Sequence, residues 1–129
     1  MIGARLQAAV LGAGQVAVGC VYAGPEAWVR RPLEPGQVSA VVWIESFGPL
    51  WCIGFVVTGV WLLVAMARRK GFVHAHIGSA AMWAFFSGCV LISALLSEPP
   101  APVVAGCMAG ILALVSIAIA RGDAERGVR

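Results

Sequence analysis

Residues 47–96 read FGPLWCIGFVVTGVWLLVAMARRKGFVHAHIGSAAMWAFFSGCVLISALL. Two apolar runs, Phe47 to Ala67 and Phe72 to Leu96, are separated only by Arg68, Arg69, Lys70 and Gly71. Each run meets the roughly 17 to 25 residues that a helix needs to cross a bilayer. The hydrocarbon core offers backbone amides no water, so such segments satisfy their hydrogen bonds internally as helices. So short a connection forces the two helices to pack antiparallel, as a hairpin turning on three consecutive cations.

Two further apolar runs flank the hairpin, Leu6 to Ala23 before it and Val103 to Ala120 after it. The fold class predicted is therefore all-α: an integral membrane bundle of four transmembrane helices in one domain over residues 1–129, with an outer loop at 24–46. Composition agrees, since 60% of the residues are hydrophobic and 12% charged, whereas charged residues alone are about a quarter of a soluble domain. No length remains for a separate catalytic domain.

Where the charges fall sets the orientation. If the spans alternate, Arg5, Arg68, Arg69, Lys70, Arg121, Arg126 and Arg129 share one side, and only Arg30 and Arg31 lie on the other. Basic residues are retained on the cytoplasmic side, so both termini and the Arg68, Arg69, Lys70 turn are expected in the cytoplasm of a bacterial cell. Glu26, Glu34, Glu45 and Glu98 all fall outside.

In the outer loop, Pro25, Pro32, Pro35 and Gly36 break any long helix, while Gln37 to Glu45 is free of breakers and predicts a short interfacial helix. Trp28, Trp43 and Trp51 suit the headgroup level, where an indole buries its ring and keeps its N–H wet. Pro49 sits near the start of the second span, where a missing amide donor does least harm. Glu98, Pro99, Pro100 and Pro102 predict a stiff outer turn that sets the last two helices side by side. The first span is the least hydrophobic. It reads as a retained helix, with a signal sequence as the alternative, and Ala17-Val18-Gly19-Cys20 loosely resembles a lipoprotein processing site. The tail from Arg121 is expected to fray in water or lie on anionic headgroups.

Small residues recur every fourth position: Ala9, Ala13 and Ala17; Ala80, Ala84 and Gly88; Gly106 and Gly110. In lipid there is little hydrophobic drive between helices, so association relies on close backbone approach, and these positions mark helix contacts within the chain or between copies of it. Cys20, Cys52, Cys89 and Cys107 lie one per span in the outer half. Without a CxxC pair they read as small apolar residues; a four-thiolate metal site or an outer disulfide between Cys20 and Cys52 is open but not established by spacing. His74 and His76 stand two apart, about 200° around a helix, and cannot chelate one ion together. They are expected to be solvated, because a proton relay or metal role needs an acidic partner at the same depth, and none is visible in the spans.

That lack of intramembrane charge disfavours a coupled transporter. Gln15, Thr58, Ser79, Ser87, Ser93 and Ser116 are enough to join helices or to line a wet pore thinly. No HExxH, GxSxG, phosphate-binding glycine loop or carboxylate pair is present, so no enzyme activity, cofactor, metal or small-molecule substrate is predicted. The scattered basic residues give no nucleic-acid surface. The partners expected are the lipid bilayer and either further copies of the chain or another membrane protein.

At Glu45-Ser46-Phe47-Gly48-Pro49-Leu50-Trp51, the Arg68-Arg69-Lys70 turn, the histidine-bearing third span and the Glu98-Pro99-Pro100-Ala101-Pro102-Val103 turn, the chain resembles small four-span membrane proteins of phages that infect actinobacteria. The resemblance covers about the last two thirds and brings no catalytic or binding residues. It implies a holin-like, lysis-associated role: timed permeabilisation of the host cytoplasmic membrane by an oligomer. The chain lacks the long charged C-terminal tail of many holins. The competing expectation is an accessory or structural subunit of a larger membrane complex, or an envelope-modifying protein, and a small channel for a neutral solute is a third.

Overall fold

A computed structural model describes residues 2–29, 32–98 and 101–127. Helix α1 runs Ile2–Tyr22, a short α2 runs Ala40–Glu45, and α3, α4 and α5 run Leu50–Arg68, Phe72–Leu96 and Val104–Glu125. One 3-10 turn, Glu26–Trp28, lies between α1 and α2, and no strand occurs among the described residues. Helices α1, α3, α4 and α5 are long and apolar enough to cross a membrane, so the chain is a multi-pass membrane protein of the all-helical class. Arg30, Arg31, Pro99, Pro100 and Arg129, used above for topology and for the outer turn, lie outside the described residues.

Several helix boundaries differ from the sequence reading: α1 opens at Ile2, four residues before Leu6, and α2 at Ala40 instead of Gln37. Leu50, not Phe47, opens α3, with Pro49 as its N-cap. At the other end of the chain α5 continues through Arg121 to Glu125 instead of fraying after Ala120. Ion pairs hold that extension: Arg121 Nε donates to Glu125 Oε1 at 2.9 Å and Arg126 Nη2 to Asp123 Oδ1 at 2.8 Å, both within one helical turn.

The turn between α3 and α4 is tight because two residues enter the left-handed region. Arg69 closes α3 at φ 57° and Gly71 opens α4 at φ 81°. Glycine takes that conformation without a Cβ penalty, whereas Arg69 bears about 1 kcal/mol of strain.

Helix α1 packs antiparallel on α3, α4 packs antiparallel on α5, and the two pairs meet less extensively through α3 and α4. The layout is two close pairs joined by a looser middle seam. Only between 28% and 39% of the most apolar window of each long helix is buried in the chain. The rest is an outward apolar surface, with Leu95, Leu114 and Ile77 among the exposed side chains. Lipid or another protein is needed to cover it.

One core cluster gathers Ala4, Ala8, Leu62, Ala65, Phe72 and Ala75 at the end where α1 starts and α3 finishes. The opposite end is aromatic: Phe55 and Trp83 have ring centroids 4.7 Å apart, and Phe86 meets Trp51 edge-on at 5.2 Å. Arg5, Arg68, Arg69, Lys70, Arg121 and Arg126 share the first end, while α2 and the glutamates of the loop lie at the other.

Candidate functional site

The polar side chains buried between helices are the groups whose placement needs explanation in a lipid-facing protein. Their positions follow from the way each pair packs. On α5 the buried residues are Gly106, Ala109, Ala113, Ser116, Ala120 and Asp123, in steps of three and four. On α1 they are Ala4, Ala8, Gly12, Gln15 and Gly19. The α5 steps alternate three and four, whereas the α1 set runs in fourths through Ala4, Ala8 and Gly12 before a step of three to Gln15. Ala9 and Ala13 each stand one residue, about 100°, around α1 from that buried row.

The expected small-residue faces divide accordingly. Ala80 and Gly106 are buried, and Gly110 is half-buried with a Cβ position only 3.1 Å from Ser87 Oγ. Ala9 is half-buried, whereas Ala13, Ala17 and Ala84 are exposed, and a Cβ at Gly88 would meet nothing within 4 Å. Intrachain contact on α1 instead uses Gly12, whose Cβ would stand 2.9 Å from the Gly59 carbonyl oxygen, and Gly19, 3.0 Å from that of Cys52. The fourth-residue stripes of α1 and α4 thus point largely away from the chain's own interior.

Each seam carries hydrogen bonds. Between α1 and α3, Gln15 Nε2 donates to Thr58 Oγ1 at 3.1 Å, and Thr58 donates onward to the Gly54 carbonyl at 2.8 Å. Between α4 and α5, Ser87 donates to the Gly106 carbonyl at 2.7 Å, and the Ser79 and Ser116 hydroxyls stand 3.4 Å apart. Ser93 and Ser97 return their protons to carbonyls one turn back on α4. Their lone pairs accept from Ala40 N at 2.8 Å and Val38 N at 3.0 Å, docking the loop and α2 onto α4.

Trp51 corrects the interfacial assignment. It is fully buried, and its indole N–H donates to the Val41 carbonyl at 2.9 Å, so it clamps α2 instead of resting among headgroups. The reason is α2 itself, which folds back over the start of α3 and offers a carbonyl where water was expected. Trp28 and Trp43 stay exposed. Among the cysteines only Cys89 is buried; Cys20 and Cys107 project outward and all four are free thiols.

His76 and Asp123 form the most polar buried pair. The sequence reading ended the fourth span at Ala120 and found no acid at the depth of the histidines. In the structure Asp123 is fully buried one step further along the α5 seam, within electrostatic reach of the equally buried His76. His76 is thus not solvated, while His74, on the opposite side of α4, is exposed. Neither ring nitrogen of His76, nor Asp123 Oδ2, has a hydrogen-bond partner among the described residues. Asp123 Oδ1 accepts from Arg126 Nη2 at 2.8 Å, so the buried carboxylate stands between a guanidinium and the imidazole. An imidazole beside a carboxylate can hold and pass a proton. The signal was in the register: Ser116, Ala120 and Asp123 continue the same alternation of four and three. Among the described residues no group of three or more His, Cys, Asp or Glu side chains converges as a metal site.

No protein-family model, curated protein or solved structure matches this chain.

Proposed function

We propose that the chain is a non-enzymatic, oligomerising membrane protein of holin type, which permeabilises a bacterial cytoplasmic membrane during phage lysis with both termini in the cytoplasm. The observation that carries this reading is the outward placement of Ala13, Ala17, Ala84 and Gly88 on two different helices. Small residues at a lipid-facing surface let the backbone of a second copy come close. Behind those faces, Gln15, Thr58, Ser79 and Ser116 sit paired within the two helix pairs. Opening of the α1–α3 and α4–α5 pairs themselves in an oligomer would turn these groups toward a shared lumen. The orientation rests on the gathering of Arg5, Arg68, Arg69, Lys70, Arg121 and Arg126 at one end.

The test is membrane potential and growth after controlled expression in a bacterial host, with insertion confirmed in parallel. Sudden depolarisation at a reproducible delay is expected. Normal potential with abundant inserted protein overturns the reading. The same outward faces also fit a subunit of a larger membrane complex, and co-purification of a stoichiometric partner in mild detergent would favour that role.

A further inference from the structure

We infer that the end of the bundle carrying the α3–α4 turn holds a binding site for one anionic phospholipid. A groove of about 750 Å³ opens there between α3, the start of α4 and the end of α5. Its rim carries Arg68, Lys70 and His74, its wall is Trp61, Val64 and Val73, and no acidic side chain lines it. Neither Arg68 nor Lys70 has an ion-pair partner among the described residues, in contrast to Arg121 and Arg126 nearby. The cations therefore face the groove with their charge unanswered.

The α4 N-terminus adds to the same field. Gly71 caps that helix without a side chain, so the amides of its first turn receive no capping oxygen, and Gly71 and His74 both line the groove. A phosphate is the anion such a site accommodates. Trp61, Val64 and Val73 continue from the cations along the lipid-facing side of the hairpin. They give the glycerol and first acyl carbons an apolar surface that a free phosphate does not need. The juxtaposition of three basic side chains with an apolar wall at headgroup depth selects a lipid over a soluble anion. Such a site does not depend on whether the protein permeabilises membranes.

The experiment is native mass spectrometry of the full chain in neutral detergent, titrated separately with phosphatidylglycerol, phosphatidylcholine and glycerol 1-phosphate. One phosphatidylglycerol should be retained at least tenfold more tightly than phosphatidylcholine, and glycerol 1-phosphate should not displace it. The double variant R68Q/K70Q should weaken retention by about tenfold to thirtyfold, at about 1 kcal/mol for each basic residue near the surface. Arg68 and Lys70 are exposed, so the fold tolerates the change. R69Q, in the same turn but outside the groove, should leave retention unchanged. Equal retention of both lipids, displacement by glycerol 1-phosphate, or an equal loss in R69Q overturns the proposal; the last would show diffuse surface charge instead of a site.

Discussion

Alanine substitution at two glycines two residues apart on α1 should move stability in opposite directions. At Gly12 a Cβ would stand 2.9 Å from Gly59 O, 3.0 Å from Leu63 Cγ and 3.1 Å from Leu62 Cβ. Ordinary contact begins at 3.4 Å, so α1 and α3 must part by 3.4 − 2.9, or 0.5 Å, and the obstacle is backbone that cannot rotate away. A gap of that size forfeits about a quarter of a dispersion well. Over on the order of 60 atom pairs at ~0.15 kcal/mol each, the loss is roughly 2 kcal/mol. That lies within the ~1–3 kcal/mol typical of overpacking. The gain in helix propensity, at most about 1 kcal/mol, offsets only part of it. At Gly14 a Cβ would meet nothing within 4 Å, so only the propensity gain remains. Reversible unfolding in mixed micelles, followed by far-ultraviolet circular dichroism against the mole fraction of denaturing detergent, reads both. Gly12→Ala should destabilise by about 1–2 kcal/mol net, and Gly14→Ala should be neutral or stabilising. Equal shifts of the same sign would refute the close approach of Gly12 to Gly59.

Three other expectations rest on separate contacts. Asp123→Leu, which leaves Arg126 without its acceptor, should destabilise the α5 end, and His76→Phe, which removes two unpartnered buried nitrogens, should be neutral or stabilising. The double variant should depart from additivity by about 0.5–3 kcal/mol in the same unfolding assay, and simple additivity would mean the two side chains do not interact. Trp51→Phe removes the donor to the Val41 carbonyl at 2.9 Å. Hydrogen exchange in α2 should then quicken by roughly a factor of five for a bond worth about 1 kcal/mol, and unchanged exchange would show that the serines alone hold the loop. A Cβ at Gly88 would meet nothing within 4 Å, so Gly88→Leu is directed away from the chain's own contacts. It should leave monomer unfolding within about 0.5 kcal/mol of the parent while reducing cross-linked oligomer, whereas Gly110→Leu, aimed at Ser87, should disturb the α4–α5 pair itself.

Much of the architecture was legible in the linear chain. The span Phe72 to Leu96 coincides with α4 at both ends, because Gly71 and Ser97 bound a mostly apolar run free of formal charge and proline. Helix identity depends on local hydrophobic length and on the need to satisfy amides in lipid, and neither requires knowledge of a neighbour. The opposite facing of His74 and His76 is likewise a matter of helix period.

What each side chain touches depended on the tertiary structure. Gly12, not Ala13, meets α3 because the row buried on α1 runs through Ala4, Ala8 and Gly12, and Ala13 stands about 100° around the helix from it. Trp51 is a clamp because α2 folds over it. Asp123 is buried because α5 continues past the last apolar residue and carries the α4 seam with it, bringing a carboxylate to a histidine 47 positions away in the chain (123 − 76). Hydrophobic length marks the spans, since it is a property of one segment in one solvent. Which polar groups meet between the spans is a property of two segments at once, and it exists only when the helices are packed.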